Sequence, residues 1–229
     1  MARVVLDIET VGHPFDSFDE AQREYLLRYV EDEEERKRQI ERLNLWAPTA
    51  ELAAAGLLNA DTNRGRVYYR AAQPESWTSE DGQTEFISGS EREIFEHFWE
   101  DLAHYDRFIT FNGRGFDGPF LMLRSAILGV PAKVNLLPYR YSAKIHCDLL
   151  DQLTFYGATR KFSLDFFCRA FGIPSPKGEG ITGLDINRLY AAGEYRRIAE
   201  YCYKDLQATR ELFLRWSATL DFKSFEQAE

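Results

Sequence analysis

The chain has 229 residues, 45% of them apolar and 14% aromatic, which is enough for a substantial core and excludes a disordered or fibrous protein. The sequence starts without a signal-peptide layout, and no apolar stretch approaches the roughly 20 residues that a membrane-spanning helix needs. Its three cysteines are widely spaced among apolar neighbours, so we expect buried free thiols, a cytoplasmic location and no membrane partner.

The net charge of −9 argues at first sight against nucleic-acid binding, but the charge is unevenly distributed. Residues 105–178 hold ten Lys and Arg against five acids, a net of +5, so the rest of the chain carries −14. Residues 16–43 hold ten acids against six bases. This asymmetry predicts a basic binding face on an otherwise acidic protein.

The first half of the chain is predicted to contain three strands, separated by a helical segment and loops. The strands are expected at 4–9, 50–58 and 66–71. Residues 16–43 show apolar residues at helical spacing, with a break near Glu31. Residues 72–89 show no clear periodicity and are expected to be rich in loops.

The second half alternates helices and strands. A capping box at Ser90–Glu93 opens a helix, and another helix is expected from near Pro119 to just before Gly129. The remaining expected elements are strands at 107–111 and 144–149 and helices at 163–171 and 195–216. Strands followed by alternating helices and strands predict an α/β fold, a single mixed sheet flanked by helices.

The first candidate functional motif is Asp7-Ile-Glu9. Side chains two residues apart in a strand share a face, so both carboxylates project together. The same pattern occurs at Asp32–Glu34, but there it lies in a charged helix that is expected to be solvated. Asp7 and Glu9 interrupt an apolar strand instead, where charge is costly, and this favours a functional role.

Two further motifs place acids at the ends of other elements. Asn112-Gly-Arg-Gly-Phe116-Asp117 follows a strand and precedes a helix, where ligands collect in open sheets, although a Gly-rich turn with Asp117 as a helix cap is an equal alternative. Tyr201 and Asp205 lie four residues apart on one helix face that continues into apolar positions. Alone, this last pair favours a core Asp with a structural partner.

Taken together, these motifs and their order resemble the DEDD (DnaQ-like) superfamily of 3′→5′ exonucleases, whose fold is ribonuclease-H-like. Tyr201 matches the branch named DEDDy, because the sister branch has a His five residues before the last Asp and Glu200 stands there in this chain. Other segments resemble the stand-alone form of the exonuclease domain of family-B DNA polymerases. These segments are 146–149, 172–174 and 198–205.

The resemblance covers residues 1–12 and about 50–216. It implies a single exonuclease domain over 1–229, in which residues 13–48 are a helical insert after the first strand. The implied activity is hydrolysis of phosphodiester bonds from the free 3′ end of a nucleic acid, with single-stranded DNA as the main candidate and a monomer as the default. Exoribonuclease activity stays open, as does a non-cleaving nucleic-acid-binding module of the same fold.

Four carboxylates gathered in one site repel each other, by roughly 4 kcal/mol for a pair about 4 Å apart at a surface-like dielectric. Cations would remove this repulsion, and the all-oxygen ligand set favours two divalent ions, Mg²⁺ or Mn²⁺. The resemblance implies that Asp7 bridges both ions, that Glu9 and Asp205 complete the ion that activates water, and that Asp117 holds the second ion through water. Tyr201 is expected to position the nucleophile. Whether it also acts as a base stays open, since a phenol has a pKa of about 10.

The predicted substrate contacts combine residues beside the acids with a mixed basic and aromatic loop over 133–144. This combination is typical of single-strand binding, but the tyrosines of the loop could equally pack on the core. The predicted contact residues are Thr10, Asn112, Phe116, Tyr139, Arg140, Lys144 and Lys161.

Overall fold

A computed structural model of the protein describes residues 1–174 and 183–222. Seven strands form one mixed sheet in the order β4-β5-β3-β2-β1-β6-β7. The strands are β1 Arg3–Gly12, β2 Ala50–Asn59, β3 Gly65–Tyr69, β4 Ser76–Thr78, β5 Thr84–Ser88, β6 Arg107–Thr110 and β7 His146–Asp148. Strand β2 is antiparallel to β1 and β3, whereas β6 and β7 continue parallel to β1. This confirms the predicted mixed α/β sheet of ribonuclease-H-like type.

Helices cover both faces of the sheet. They are α1 Glu20–Leu26, α2 Glu33–Glu41, α3 Glu91–Leu102, α4 Asp117–Leu128, α5 Leu149–Leu153, α6 Leu164–Ala170, α7 Ile186–Ala191 and α8 Tyr195–Thr219. Helices α3 and α4 pack on one face, and α5 to α8 pack on the other. The predicted capping box of α3 is confirmed, since the Ser90 side chain accepts from the Glu93 amide and the Glu93 carboxylate accepts from the Ser90 amide.

Residues 72–89 are rich in loops, as expected, but they also contain two strands that the sequence did not predict. These are β4 and β5, which extend the sheet beyond β3. The two strands are held by a ring stack between Trp77 and Phe86, whose centroids lie 3.6 Å apart. Both strands are short, and the turn at Gly82 separates them, so the alternation of polar and apolar residues covers too few positions to be recognised.

Between β1 and β2 lies the proposed insert, whose segment 16–43 is helical with a break near Glu31, as the sequence predicts, since α1 ends at Leu26 and α2 begins at Glu33. Most of the apolar residues at helical spacing do not pack on the core: neither helix contains a buried residue, and the side chains of Tyr25 and Tyr29 are exposed. Leu43, at the end of this segment, is the buried exception. The insert is attached to the domain through its own C-terminal residues instead. There the chain forms a 3₁₀ turn over 42–45, in which Leu43 and Asn44 are buried.

A buried ion pair ties the helices of one face to the sheet. Arg124 of α4 donates from Nε and Nη2 to the two carboxylate oxygens of Glu91 in α3, at 2.9 and 2.8 Å. Glu91 also accepts from the amide of Leu52 in β2, at 2.7 Å. Both charged side chains are almost fully buried, so the charge of each is compensated by the charge of the other.

The three cysteines are buried and free, as predicted. Within the described ranges, no helix is long and apolar enough to cross a membrane.

Candidate active site

The centre of the site is the middle of β1. Val5 and Val11 point to the face covered by α8, and Asp7 and Glu9 share that face. A register shift falls between Glu9 and Thr10, where β2 carries one extra residue, Ala53, so β2 bulges opposite the second acid. Bulges of this kind change the direction of side chains and are frequent beside active sites.

Helix α8 brings Asp205 to the two acids of β1. Carboxylate oxygens of Asp7, Glu9 and Asp205 all lie within 4.8 Å of one another. The close approach depends on Gly56, which is the β2 partner of Asp7. A Cβ atom at Gly56 would lie 2.4 Å from Leu206 Cδ1, so the turn of α8 that carries Asp205 packs where β2 has no side chain.

Asp117 completes the group of acids from the other side of the strand. It is the first residue of α4, not the cap, and its Oδ1 accepts a hydrogen bond from the amide of Ile8, at 3.1 Å. This amide lies beyond the last pairing of β1 with β6, at Val5, so the carboxylate takes the place of a strand partner. Asp117 is thereby fixed to the residue between Asp7 and Glu9.

The loop before Asp117 is held by an acid that the sequence did not identify as part of the site. Asp148, at the end of β7, accepts from the amides of Asn112 and Arg114, both at 2.9 Å. Asn112 has a left-handed backbone with φ of 64°, which these hydrogen bonds help to maintain. Asp148 is the last residue of β7, the strand beside β6, and an acid at this strand end is the signal that could have identified it.

The four acids are electrostatically coupled. Burial, followed by the charges of Asp117 and Asp205, raises the pKa of the Asp7 carboxyl well above its ordinary value. Burial and then Asp205 raise the pKa of Glu9 in the same way. Burial raises the pKa of Asp117 to about 7, with a further contribution from Asp148. The protein alone therefore disfavours the charged forms of Asp7, Glu9 and Asp117.

The site fits divalent cations with oxygen ligands. Asp7 Oδ2 is buried without a hydrogen-bond partner among the described residues. An unsatisfied buried carboxylate oxygen next to two further carboxylates is costly in the free protein and is stabilised by a cation. The surrounding potential ligand atoms are carboxylate oxygens, which suit Mg²⁺ or Mn²⁺.

Tyr201 lies one helical turn before Asp205 and is buried. Burial and the charges of Asp205 and Glu9 strongly raise the pKa of its phenol. The neutral form of the phenol is therefore favoured, and it can donate a hydrogen bond.

The predicted substrate contacts fall into different environments. Thr10 is buried and donates its hydroxyl to the carbonyl of Asn44, at 2.6 Å, so this side chain anchors the insert. Arg140 pairs with the buried Asp151, at 2.6 and 3.1 Å, which compensates its charge. Tyr139 and Lys161 are exposed, and Lys144 has no ion pair within the described part of the chain.

Further aromatic residues lie near Tyr139, in addition to the predicted substrate contacts. Tyr141 contacts both Tyr139 and Tyr156, with ring centroids 5.8 and 5.0 Å away. Phe155 and Tyr156 have left-handed backbones with φ of 50° and 58°, a conformation that costs energy outside glycine. The turn leaves Phe155 exposed beside the tyrosines.

Comparisons with known proteins agree with this architecture. A family model described as "Predicted 3'-5' exonuclease related to the exonuclease domain of PolB" matches residues 78–228. The chain belongs to this exonuclease family. The match includes Asp117, Tyr201 and Asp205, whereas Asp7 and Glu9 lie before it and are placed in the site by the geometry alone.

A solved structure shows the same fold. The family B DNA polymerase from the hyperthermophilic archaeon Pyrobaculum calidifontis aligns with a TM-score of 0.59 and 17% identity over 94% of this chain. The exonuclease chain spans about a quarter of that polymerase, 24% of its length.

Proposed function

We propose that the protein is a metal-dependent 3′→5′ exonuclease that acts on single-stranded DNA as a single domain, in the cytoplasm and as a monomer. The observation that carries this proposal is the meeting of Asp7, Glu9 and Asp205 within 4.8 Å, with Asp117 fixed beside them. Membership of a family of predicted 3′→5′ exonucleases supports the reaction and its direction.

The four acids would divide between the two proposed ions. Asp7 is central and would contact both ions, Glu9 and Asp205 would hold the first, and Asp117 would hold the second through its remaining oxygen. When bound, the ions lower the pKa of the attacking water and stabilise the leaving 3′ oxygen. Tyr201 keeps its proton and would orient the attacking water by donating a hydrogen bond.

The preference for a single strand rests on a surface beside the loop that carries Asn112. Arg114 of this loop donates to the carbonyls of Pro138 and Tyr139, at 2.9 and 3.3 Å. These hydrogen bonds hold the segment with the exposed tyrosines next to the loop. Arg160 lies 5.1 Å from the ring of Phe162, which adds a charged aromatic pair. Aromatic faces next to cations hold successive bases and phosphates of a single strand.

Some basic residues of segment 105–178 are less suited to contact phosphates, because they are buried or already paired with acids. Lys133 and Arg140 pair with acids, and Arg124 is buried. Lys144, Arg160 and Lys161 have no ion pair within the described part of the chain. We therefore assign the phosphate contacts to these three residues.

Charge reversal at Lys144 or Lys161 is expected to weaken binding of a single-stranded oligonucleotide and to reduce the slope of log Kd against log salt. The reason is that each phosphate contact releases condensed counterions, about 0.7 per contact on a single strand. Fluorescence anisotropy at several salt concentrations, in chelator, measures both quantities. Lys37→Glu on exposed α2 is the matched control. A loss of binding in Lys37→Glu but not in Lys144→Glu would place the substrate on the opposite face.

The proposed chemistry predicts that activity disappears in chelator and returns with Mg²⁺ or Mn²⁺, because the carboxylates alone cannot activate water. Release of nucleotides from labelled single-stranded DNA and RNA of the same sequence measures this in parallel. Faster digestion of the RNA would make the protein an exoribonuclease. Full activity in chelator would show that the acids are not a metal site.

A further inference from the structure

The turn that ends helix α5 has a bulky residue where the backbone favours glycine. Helices commonly end with one residue in a left-handed conformation, and glycine is favoured there because it has no Cβ atom to clash. After α4, α6 and α7 this residue is Gly129, Gly172 and Gly193, with φ of 67°, 68° and 74°. After α5 it is Phe155, with φ of 50°.

Hydrogen bonds of the turn hold Phe155 in this conformation. The amide of Tyr156 donates to the carbonyl of Asp151, at 2.6 Å, and the amide of Phe155 donates to the carbonyl of Gln152, at 3.2 Å. This is the pairing that closes a helix around a left-handed residue. Tyr156 is left-handed as well, so the turn carries the cost of two such residues. Phe155 recovers little of that cost by packing, because its relative exposure is 55%.

The turn is joined to the active-site loop through α5 itself. Asp148 accepts from the amides of Asn112 and Arg114, and it also caps α5 by accepting from the amide of Leu150, at 3.0 Å. Helix α5 has only five residues, which corresponds to a length of about 8 Å. The exposed ring of Phe155 therefore lies one short helix away from the loop beside the acids.

Cations follow the turn directly. The amide of Thr159 donates to the carbonyl of Thr154, at 3.1 Å, which brings the chain back to the start of the turn. Arg160 and Lys161 come next, and neither has an ion pair within the ranges that the structure describes. An exposed ring with free cations beside it fits a nucleobase whose neighbouring phosphates contact the cations.

We propose that Phe155 is a stacking site for one interior base of the single strand, upstream of the nucleotide that is removed. The inference rests on the proposed function, which supplies the single strand as ligand, and adds to it a binding residue outside the catalytic centre. A nucleobase fits better than an apolar protein segment, because residues 105–178 around the turn carry a net charge of +5. Phe155 then has a use that offsets its conformational cost.

An abasic scan tests this site. One abasic nucleotide is moved along a labelled single-stranded oligonucleotide, and Kd is measured in chelator by fluorescence anisotropy. In wild type, the abasic nucleotide is expected to weaken binding by about 5- to 150-fold at one interior position, the range for one base–aromatic stack. Phe155→Ala should lose the same factor on the intact strand and should no longer respond at that position. Tyr29→Ala, at an exposed aromatic residue of the insert, is the matched control and should keep the response.

The direction of the stability change separates binding from folding. Phe155→Gly is expected to raise Tm by about 2–4 °C, because glycine adopts this backbone without a clash. The same variant should bind the intact strand as weakly as Phe155→Ala. A lower Tm in Phe155→Gly would show that the ring stabilises the fold, and wild-type binding by this variant would show that the ring does not contact the strand. Either result would overturn the inference.

The two measurements also separate this inference from the proposed function. If wild type shows the abasic response but releases no nucleotides in Mg²⁺, the exonuclease proposal fails and the stacking site stands. If wild type digests the strand and Phe155→Ala responds to every abasic position as wild type does, the inference fails and the exonuclease proposal stands. If Phe155→Ala binds the strand normally but no longer self-associates, a second copy of the chain covers the ring and the inference is wrong.

Discussion

Asp7→Asn is expected to lower the rate of nucleotide release by more than about 100-fold, because outer-shell partners of a metal site alone contribute about 10- to 100-fold. Asp7 is the acid that would contact both ions, and its Oδ2 is buried without a partner in the described ranges. Asn keeps the shape of the side chain but removes the charge that binds cations. Release of labelled nucleotides in Mg²⁺ measures the effect, and turnover close to that of wild type would contradict the assignment.

The same variant is expected to be more stable than wild type in chelator. Asp7 is crowded by Asp117, Asp205 and Glu9, so removing its charge removes mutual repulsion in the folded protein. Each kcal/mol gained raises Tm by about 2–4 °C in a protein of this size. Thermal unfolding in chelator at pH 8 measures the shift. A lower Tm would show that Asp7 stabilises the fold and would weaken its assignment as a ligand.

Two control variants make the Asp7 result specific. Glu34→Gln removes a charge from the same Asp-x-Glu pattern in the exposed helix α2 and should change neither activity nor Tm. Tyr201→Phe should reduce activity less than Asp7→Asn, because the proposed ions remain bound and only the orienting hydrogen bond is lost.

Arg124→Met is expected to destabilise the protein by about 3–5 kcal/mol, because it leaves the buried Glu91 carboxylate without its partner. Chemical unfolding, followed by circular dichroism, measures the change. The effect should be structural, since Arg124 of α4 binds Glu91 of α3, and Glu91 in turn accepts a hydrogen bond from Leu52 of β2.

The cause of this loss can be separated from the loss of packing. The double variant Arg124→Met, Glu91→Gln should recover part of the stability, since no uncompensated charge remains. Arg36→Met removes one partner of an exposed pair with Glu33 and should cost less than about 1 kcal/mol. A similar small cost for Arg124→Met would mean that water compensates Glu91 and that the pair does not hold the elements together.

The elements with strong local signals were predictable. The apolar run of β1, the capping box of α3 and the long apolar stripe of α8 all formed close to the expected residues. Asp7 and Glu9 were identifiable because charge in a buried strand is costly. Their meeting with Asp205 depends on the long-range packing of α8 over Gly56, which no local pattern reveals.

Features that depend on tertiary partners were not predictable. The expected binding role of Arg140 ignored Asp151, which lies eleven residues away and compensates its charge. The apolar residues at helical spacing in 16–43 include Tyr25 and Tyr29, which are exposed, and the insert is attached through Leu43 and Asn44 instead.

The most direct test of the account is the direction of digestion. Two single-stranded oligonucleotides of one sequence, capped by phosphorothioate linkages at either the 3′ or the 5′ end, are incubated with the protein and Mg²⁺, with Asp205→Asn as the control for contaminating nucleases. The account predicts that the 3′ cap blocks digestion, that the 5′ cap does not, and that the control is inactive. Digestion of the 3′-capped strand, or cleavage of a circular single strand, would contradict it.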